Sequence, residues 1–553
     1  MSVRPKTSRV LSAWLAGSGA AYFLTSFFSN LYPAVYQFVF LSISWTVLCS
    51  AAFFWIADEV WTRLRTGWRA HWIGLLALLL ASCLTIGAVA ISTRFPGLFD
   101  SRLLFMERAR LPLFLGLAVL SLPLFFWLSR GLTHPPSDCI RKNLPGLILA
   151  ALFFTTYFTL AATINFPGHR TLDQYFDTDI SAWLARLQAA SPRDITDVVR
   201  AVHPAVLLFL RPLVWFFSLF LTGDRLHAIY LVHALAAASC VFLTWRIVRR
   251  ASGNASYALI MASILGASAS HLLLGSMLET YIYSALALLI FVSILQNENS
   301  SLKATVPAGF LVFGITVTNL AQTVILYSLK RPRIKVIFQY VSLVVVFTLF
   351  LHVLQVWIYP AAEPLSLSNL RSEQKYQPDL AKASWYLQGR VSLTARAVLL
   401  YGMVAPKPFI LMEELGMDVP NFRTFEIAIG EFHVAGYSGL ADWTVKFWML
   451  LLVASVIFFL WNWFKNPKPM LALGLFSCLG FNFALHVIYG DDPMLYSPDW
   501  VYALVLYAAF SFERVASHKW FQMVLILFLA LMMIVNMQLV YQIMQVSAPF
   551  YGR

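Results

Sequence analysis

The stretch VIFQYVSLVVVFTLFLHVLQVWIY, residues 336–359, carries no charged side chain over a length that lets one helix cross the acyl core of a bilayer. Working outward, apolar runs of the same kind cover 9–29, 32–57, 72–93, 111–129, 145–164, 226–247, 256–274 and 280–296 before it. They continue at 443–464, 470–488, 497–514 and 519–545 after it. The composition of the 553 residues agrees, with 59% hydrophobic, 12% charged and a mean hydropathy of +0.72. A globular chain carries about 25% charge, so a water-soluble fold is excluded. An all-α polytopic membrane protein of about 13–15 helices is expected instead. In such a protein the formal charge of +14 is loop charge that sets orientation, not a nucleic-acid footprint. The five cysteines form no CxxC and no cluster, so neither a disulfide framework nor a zinc site is indicated.

The basic residues Arg4, Lys6 and Arg9 precede the first apolar run, but no small-residue cleavage signal follows, and residues 9–57 read as a retained helical hairpin. The apolar stretch 305–327 admits two readings. As one span it would send the cluster Lys330, Arg331, Arg333, Lys335 outside. As two half-spans meeting near Asn319 it returns that cluster to the cytoplasm, as the positive-inside rule prefers. The N-terminus is then cytoplasmic, and two long segments, 165–225 and 361–442, lie outside the cytoplasm. Both are too rich in Trp, Tyr and paired charges for disordered linker. The chain divides into a four-span extension (1–143), a core (144–360) containing the first long loop, the second long loop (361–442) and a C-terminal bundle (443–553). His233, His352, Asn319, Asn482 and Asn536 are the main polar residues within spans. An ion-coupled carrier would be expected to place carboxylates or Lys there.

Candidate chemistry gathers in the loops. HRTLDQYFDTDISAW, residues 169–183, presents Asp173, Asp177 and Asp179 where a span ends. A carboxylate held there can act as general base on a hydroxyl. Asp179, Trp183 and Arg186 would share one face of a helix that starts at the Asp-Thr-Asp turn, where an aspartate can equally serve as N-cap. His203-Pro204 opens the apolar helix LLFLRPLVWFFSLFL, which suits an interface rather than a full span and puts His203 and Arg211 at head-group depth. In HVIYGDDPMLYSPDW, His486, Tyr496 and Asp499 combine acceptors for sugar hydroxyls with rings for sugar CH faces. Arg390 and Arg396, on a helix within WYLQGRVSLTARAVLLYGM, are candidates for charge-assisted bonds to a lipid-linked phosphate. No nucleotide cradle of the G-x-x-x-x-G-K-[ST] or G-x-G-x-x-G kind is present.

The order of an acidic loop after a core span, a His-Pro interfacial helix, a span ending in WRIVRR, a further span and the acidic LETYIY loop resembles the GT-C superfamily of membrane glycosyltransferases. That group includes the protein O-mannosyltransferases and the lipid A aminoarabinose transferase. The similarity covers about residues 145–360 through short motifs. It implies a GT-C-like bundle and an inverting enzyme of the bacterial inner membrane. The donor would be a polyprenyl-phosphate-linked sugar, and the acceptor an extracytoplasmic glycan, lipid or protein. It makes Asp179 the base, with Asp177 beside it. His203, Arg211, Arg390 and Arg396 would bind the donor phosphate. Glu279, Asp173, Trp183, His486, Tyr496 and Asp499 would line the substrate cavity. Many relatives have a Lys where this hairpin tip has Asn319. No cofactor is required, although two close carboxylates can hold a divalent cation. The alternative readings are a lipid-linked saccharide flippase or transporter, and an O-antigen-type polymerase or ligase.

Overall fold

Backbone polar groups inside a bilayer must bond within their own segment, and this chain meets that demand with helices. The computed structural model describes residues 7–29, 35–64, 105–133, 138–165, 175–297, 300–379, 383–414, 418–465 and 470–547. The expected span 72–93 and the candidate Asp173 lie outside the described residues. Among the described residues, eight helices are long and apolar enough to cross a bilayer, as in a multi-pass membrane protein.

Contacts divide the chain into two units, Met1–Thr159 and Leu160–Arg553. The first contains α1 (Thr7–Ser29), α2 (Val35–Leu64), α3 (Leu111–Thr133) and most of α4 (Asp138–Ile164). Its core packs Val10 and Ala13 against Ala51, Phe54 and Phe125, with the Phe54 and Phe125 rings edge to face at 6.2 Å.

The second unit opens with α5 (Ile180–Gln188), α6 (Val206–Phe220) and α7 (Arg225–Ser252). The run read as a span at 256–274 is two helices, α8 (Ala255–Gly266) and α9 (Ala269–Leu274). Their break is satisfied from other segments. Asn536 donates through Nδ2 to the carbonyls of Ala267 and Met403, both at 2.8 Å, and the Ser270 amide bonds to Gly402 O at 2.9 Å. The polar intrusion at Asn536 is therefore a splint for exposed backbone, and His233 is another, donating to Leu274 O at 3.1 Å.

After α10 (Tyr281–Leu295), the ambiguous stretch forms α11 (Leu302–Ile315), a short 3-10 turn over Val317–Asn319 and α12 (Leu320–Lys330). The Arg331 guanidinium bonds to Ser300 O at 3.4 Å, so the two ends meet and the segment is a hairpin with Asn319 at its tip. α13 (Ile334–Ile358) packs against it so closely that a Cβ on Gly309 would stand 2.2 Å from the Tyr340 hydroxyl.

The second long segment is not wholly helical. It contains α14 (Leu367–Ser372), α15 (Ser384–Arg396) and two antiparallel hairpins, β1 (Phe409–Glu414) with β2 (Asp418–Arg423), and β3 (Phe425–Ala428) with β4 (Glu431–Val434). Phe409 pairs with Arg423 and Phe425 with Val434. α16 (Leu440–Lys465), α17 (Met470–Ile488), α18 (Pro498–Ser511) and α19 (Lys519–Ser547) complete the unit. Replacing Gly309 by Leu should force α11 off α13 at a cost of about 1–3 kcal/mol. Thermal unfolding in detergent checks this, with a lowered midpoint as the expected result.

Candidate active site

The site assembles where α4 ends. Asn165 donates through Nδ2 to Ser276 O at 2.7 Å and accepts the Leu278 amide at 3.1 Å, which fixes the turn that carries Glu279. Glu279 Oε1 accepts the backbone amide of Asp179, and its Oε2 takes the Thr280 amide at 3.2 Å. Loops 100 residues apart in sequence are thus joined by one carboxyl group. On the opposite side, the Phe176 amide bonds to Phe422 O at 2.8 Å, and the Tyr175 hydroxyl bonds to Ser547 Oγ at 2.9 Å. Between these anchors Phe176 and Asp177 both hold positive φ, 54° and 68°, a conformation that side chains with a Cβ rarely adopt.

Asp179 occupies the N-cap position of α5, but its side chain makes no capping hydrogen bond. The bland role open to it in the sequence is therefore unused. Glu279 is 4% exposed, and burial, reinforced by the Asp179 charge, raises its pKa well above the usual carboxylate range. Its neutral form is thereby favoured.

The cations at this site are Arg186 and Arg200. Arg186 stacks on Trp183 at 4.7 Å, donates to Val198 O at 2.7 Å and lies within electrostatic reach of Asp179 and Glu279. Its buried Nε has no protein partner. Arg200 bonds to Glu373 Oε2 at 3.4 Å and covers the Tyr376 ring at 4.6 Å. Burial opposes its charge, yet Tyr281, Tyr489 and Glu373 around it hold its pKa above the ordinary value. Tyr489 donates to the same Glu373 oxygen at 2.8 Å. Tyr281 meets Tyr496 edge to face at 5.0 Å, and Asp177 acts electrostatically on Tyr496. The result is an aromatic wall with carboxylates at one end and guanidiniums beside them. Thr178 Oγ1 and Thr280 Oγ1 are buried here without protein hydrogen-bond partners.

Several expected residues take other positions. His203 is buried against Trp183, ring to ring at 5.8 Å, and donates from Nδ1 to Ile315 O at 2.8 Å. Burial, with Arg200 and Arg186 close by, lowers its pKa to about 3. At neutral pH its ring is uncharged, with the Nδ1 proton spent on Ile315 O and a lone pair at Nε2. Arg390 is buried with both Nη groups on carbonyls, Asp491 O at 2.6 Å and His486 O and Gly490 O at 2.8 Å. It braces the loop between α17 and α18. Arg396 bonds to Ala435 O at 3.2 Å. Arg211 binds Arg186 O at 2.5 Å and Ala189 O at 2.8 Å, at the far end of α5 from Asp179. His486 packs between Tyr496 and Trp500, at 4.4 and 5.1 Å. Asp499 is buried near Asn319 at the hairpin tip, and its own carbonyl accepts Gln322 Nε2 at 3.0 Å.

Arg200, Tyr281 and Glu373 were not singled out by sequence. Tyr281 follows Glu279 by two residues in LETYIY, a signal that was available. Arg200 and Glu373 are ordinary loop charges until the fold pairs them. Among the described residues no group of three or more His, Cys, Asp or Glu is arranged to hold a metal ion.

No known family profile, curated protein or solved structure matches this chain. The Arg390→Lys variant should lose about 2–4 kcal/mol of stability, because it strands buried carbonyls, while substrate affinity per folded molecule is unchanged. Thermal unfolding and ligand titration on the same sample separate the two effects.

Proposed function

We propose that the chain is a membrane glycosyltransferase of the GT-C type that transfers a sugar from a polyprenyl-phosphate donor to an acceptor hydroxyl outside the cytoplasm, with inversion. The observation that carries this reading is the Asp179 carboxylate, which stands at a helix start without capping it, next to a buried Glu279 and two guanidiniums. In this reading Asp179 takes the acceptor proton as the acceptor oxygen bonds to the anomeric carbon. The bond from that carbon to the phosphate oxygen breaks, and its electron pair leaves with the phosphate. Arg186 and Arg200 neutralise the departing charge, an electrostatic stabilisation made in place before the reaction begins. Tyr281 and Tyr496 would pack on the sugar face. The shared turn at Phe176 and Asp177 would hold the base in register with Glu279. Asp177 serves as neighbour to the base.

Asp179→Asn should abolish transfer from a supplied lipid-linked sugar in membranes, by about 10²–10⁴-fold as expected for loss of a general base. Transfer at the parental rate would refute the base assignment. A flippase or transporter would leave the donor bond intact in both forms. Glu279 supplies a second check. Its raised pKa means the neutral acid is present below that value and lost as pH rises through it. The rate should therefore fall on the alkaline side as a second negative charge forms beside Asp179, and Glu279→Gln, permanently neutral, should lose that alkaline limb while keeping the rate near neutrality.

A further inference from the structure

At the other end of α5 lies a separate recess of about 300 Å³, bordered by Pro192, Arg211, Val214, Trp215, Arg225 and Tyr359. Two guanidiniums converge there on the last carbonyls of the helix. Arg211 donates to Arg186 O and Ala189 O, and Arg225 donates to Gln188 O at 3.0 Å and Ala189 O at 2.7 Å. A helix C-terminus carries about half a negative charge, so two full positive charges exceed it by more than one unit. No carboxylate within ion-pairing distance of either arginine makes up the difference among the described residues. Asp194 acts on Arg211 from farther away and spends its Oδ2 on the Ser191 amide at 2.8 Å. Asp224, beside Arg225 in sequence, is paired with His227 at 2.6 Å. Each guanidinium has five N–H donors. The carbonyls, with Tyr359 against Arg211, use only part of that set. The recess therefore holds unsatisfied positive charge.

Its wall is apolar and continues outward. Trp215 is 58% exposed at the rim, and Leu213, Phe216, Leu219 and Phe220 form an exposed face along the same α6 helix. An inorganic anion would use the arginines and leave that face bare. An amphiphile uses both, with its phosphate on the arginine pair and its acyl chains along the Phe and Leu side chains. The reacting phosphate of the proposed donor is a different group, because the nine residues of α5 separate the recess from Asp179 by roughly 13 Å at 1.5 Å per residue.

We infer that Arg211 and Arg225 form a binding site for the phosphate of an anionic membrane phospholipid whose chains lie along the exposed apolar face of α6. The site stands on charge and shape alone and does not require the sugar-transfer reading. By holding such a lipid against the C-terminus of α5, it would couple that helix to the surrounding bilayer.

The full chain in neutral detergent, titrated with phosphatidylglycerol, phosphatidylcholine or inorganic phosphate and read by native mass spectrometry, tests the site. Phosphatidylglycerol should bind about tenfold or more tightly than phosphatidylcholine, and inorganic phosphate at the same concentration should not displace it. Arg211→Gln with Arg225→Gln should remove the preference. Because those arginines also brace α5, Ala190→Glu is the second variant. Ala190 is exposed at the recess, so a carboxylate there neutralises the pair while its bonds to the carbonyls stay in place. Loss of the preference in Ala190→Glu supports the site. Equal binding of the two lipids to the parent, or an unchanged preference in Ala190→Glu, overturns it. Displacement by inorganic phosphate as effective as by lipid overturns the lipid assignment.

Discussion

The hydrogen bond from the Asp179 amide to the Glu279 carboxyl is the contact on which the site depends. It ties the start of α5 to the turn before α10, and it commits Glu279 to a backbone amide. A buried carboxyl with one oxygen on Asp179 and the other on the Thr280 amide has little freedom to move. Burial favours its neutral form. A site built from two ionised carboxylates would repel a phosphate, and holding Glu279 towards its neutral form beside Arg186 and Arg200 lessens that repulsion.

The surrounding polar residues answer a different demand. Every break in a helix within this apolar chain exposes amides and carbonyls that a bilayer cannot solvate. Asn536 closes the break between α8 and α9. Asn165 closes the end of α4 onto the 276–278 turn. Gln355 bridges His203 O and the Leu207 amide at 2.9 Å each, and Arg390 gathers three carbonyls in and just after the last turn of α17. These side chains look functional in the sequence because polar residues in apolar runs are expensive. Here their cost is offset by backbone groups they satisfy, which is structural work at the edge of the site.

This distinction accounts for what the sequence disclosed. Eight of the apolar runs are, among the described residues, helices long and apolar enough to cross a bilayer, whereas the run at 256–274 breaks into two helices. Charge placement then favoured a hairpin at 305–327, and the bond between Arg331 and Ser300 joins its ends. Asp179, Trp183 and Arg186 share a face because four- and three-residue steps return a helix to the same side, and Glu279 is named through the resemblance carried by its LETYIY loop. Arg390 and Arg396 meet backbone carbonyls in the fold. An arginine that binds a phosphate and one that binds carbonyls have the same local sequence, and only tertiary burial separates them. The same holds for His203, whose pKa is lowered first by burial and then by Arg200, against the pull of the Ile315 carbonyl. The two β-hairpins in the second long segment also escaped, because short strands interrupted by Gly and Pro carry little periodic signal.

The most direct test of the central claim is a cryo-electron microscopy map of the full chain in a lipid nanodisc with a non-hydrolysable polyprenyl-phosphonate sugar. The account predicts the sugar against Tyr281 and Tyr496, its anomeric carbon facing the Asp179 carboxylate, and the phosphonate on Arg186 and Arg200. A bound sugar phosphonate held elsewhere, with Asp179 turned away from it, would contradict the account.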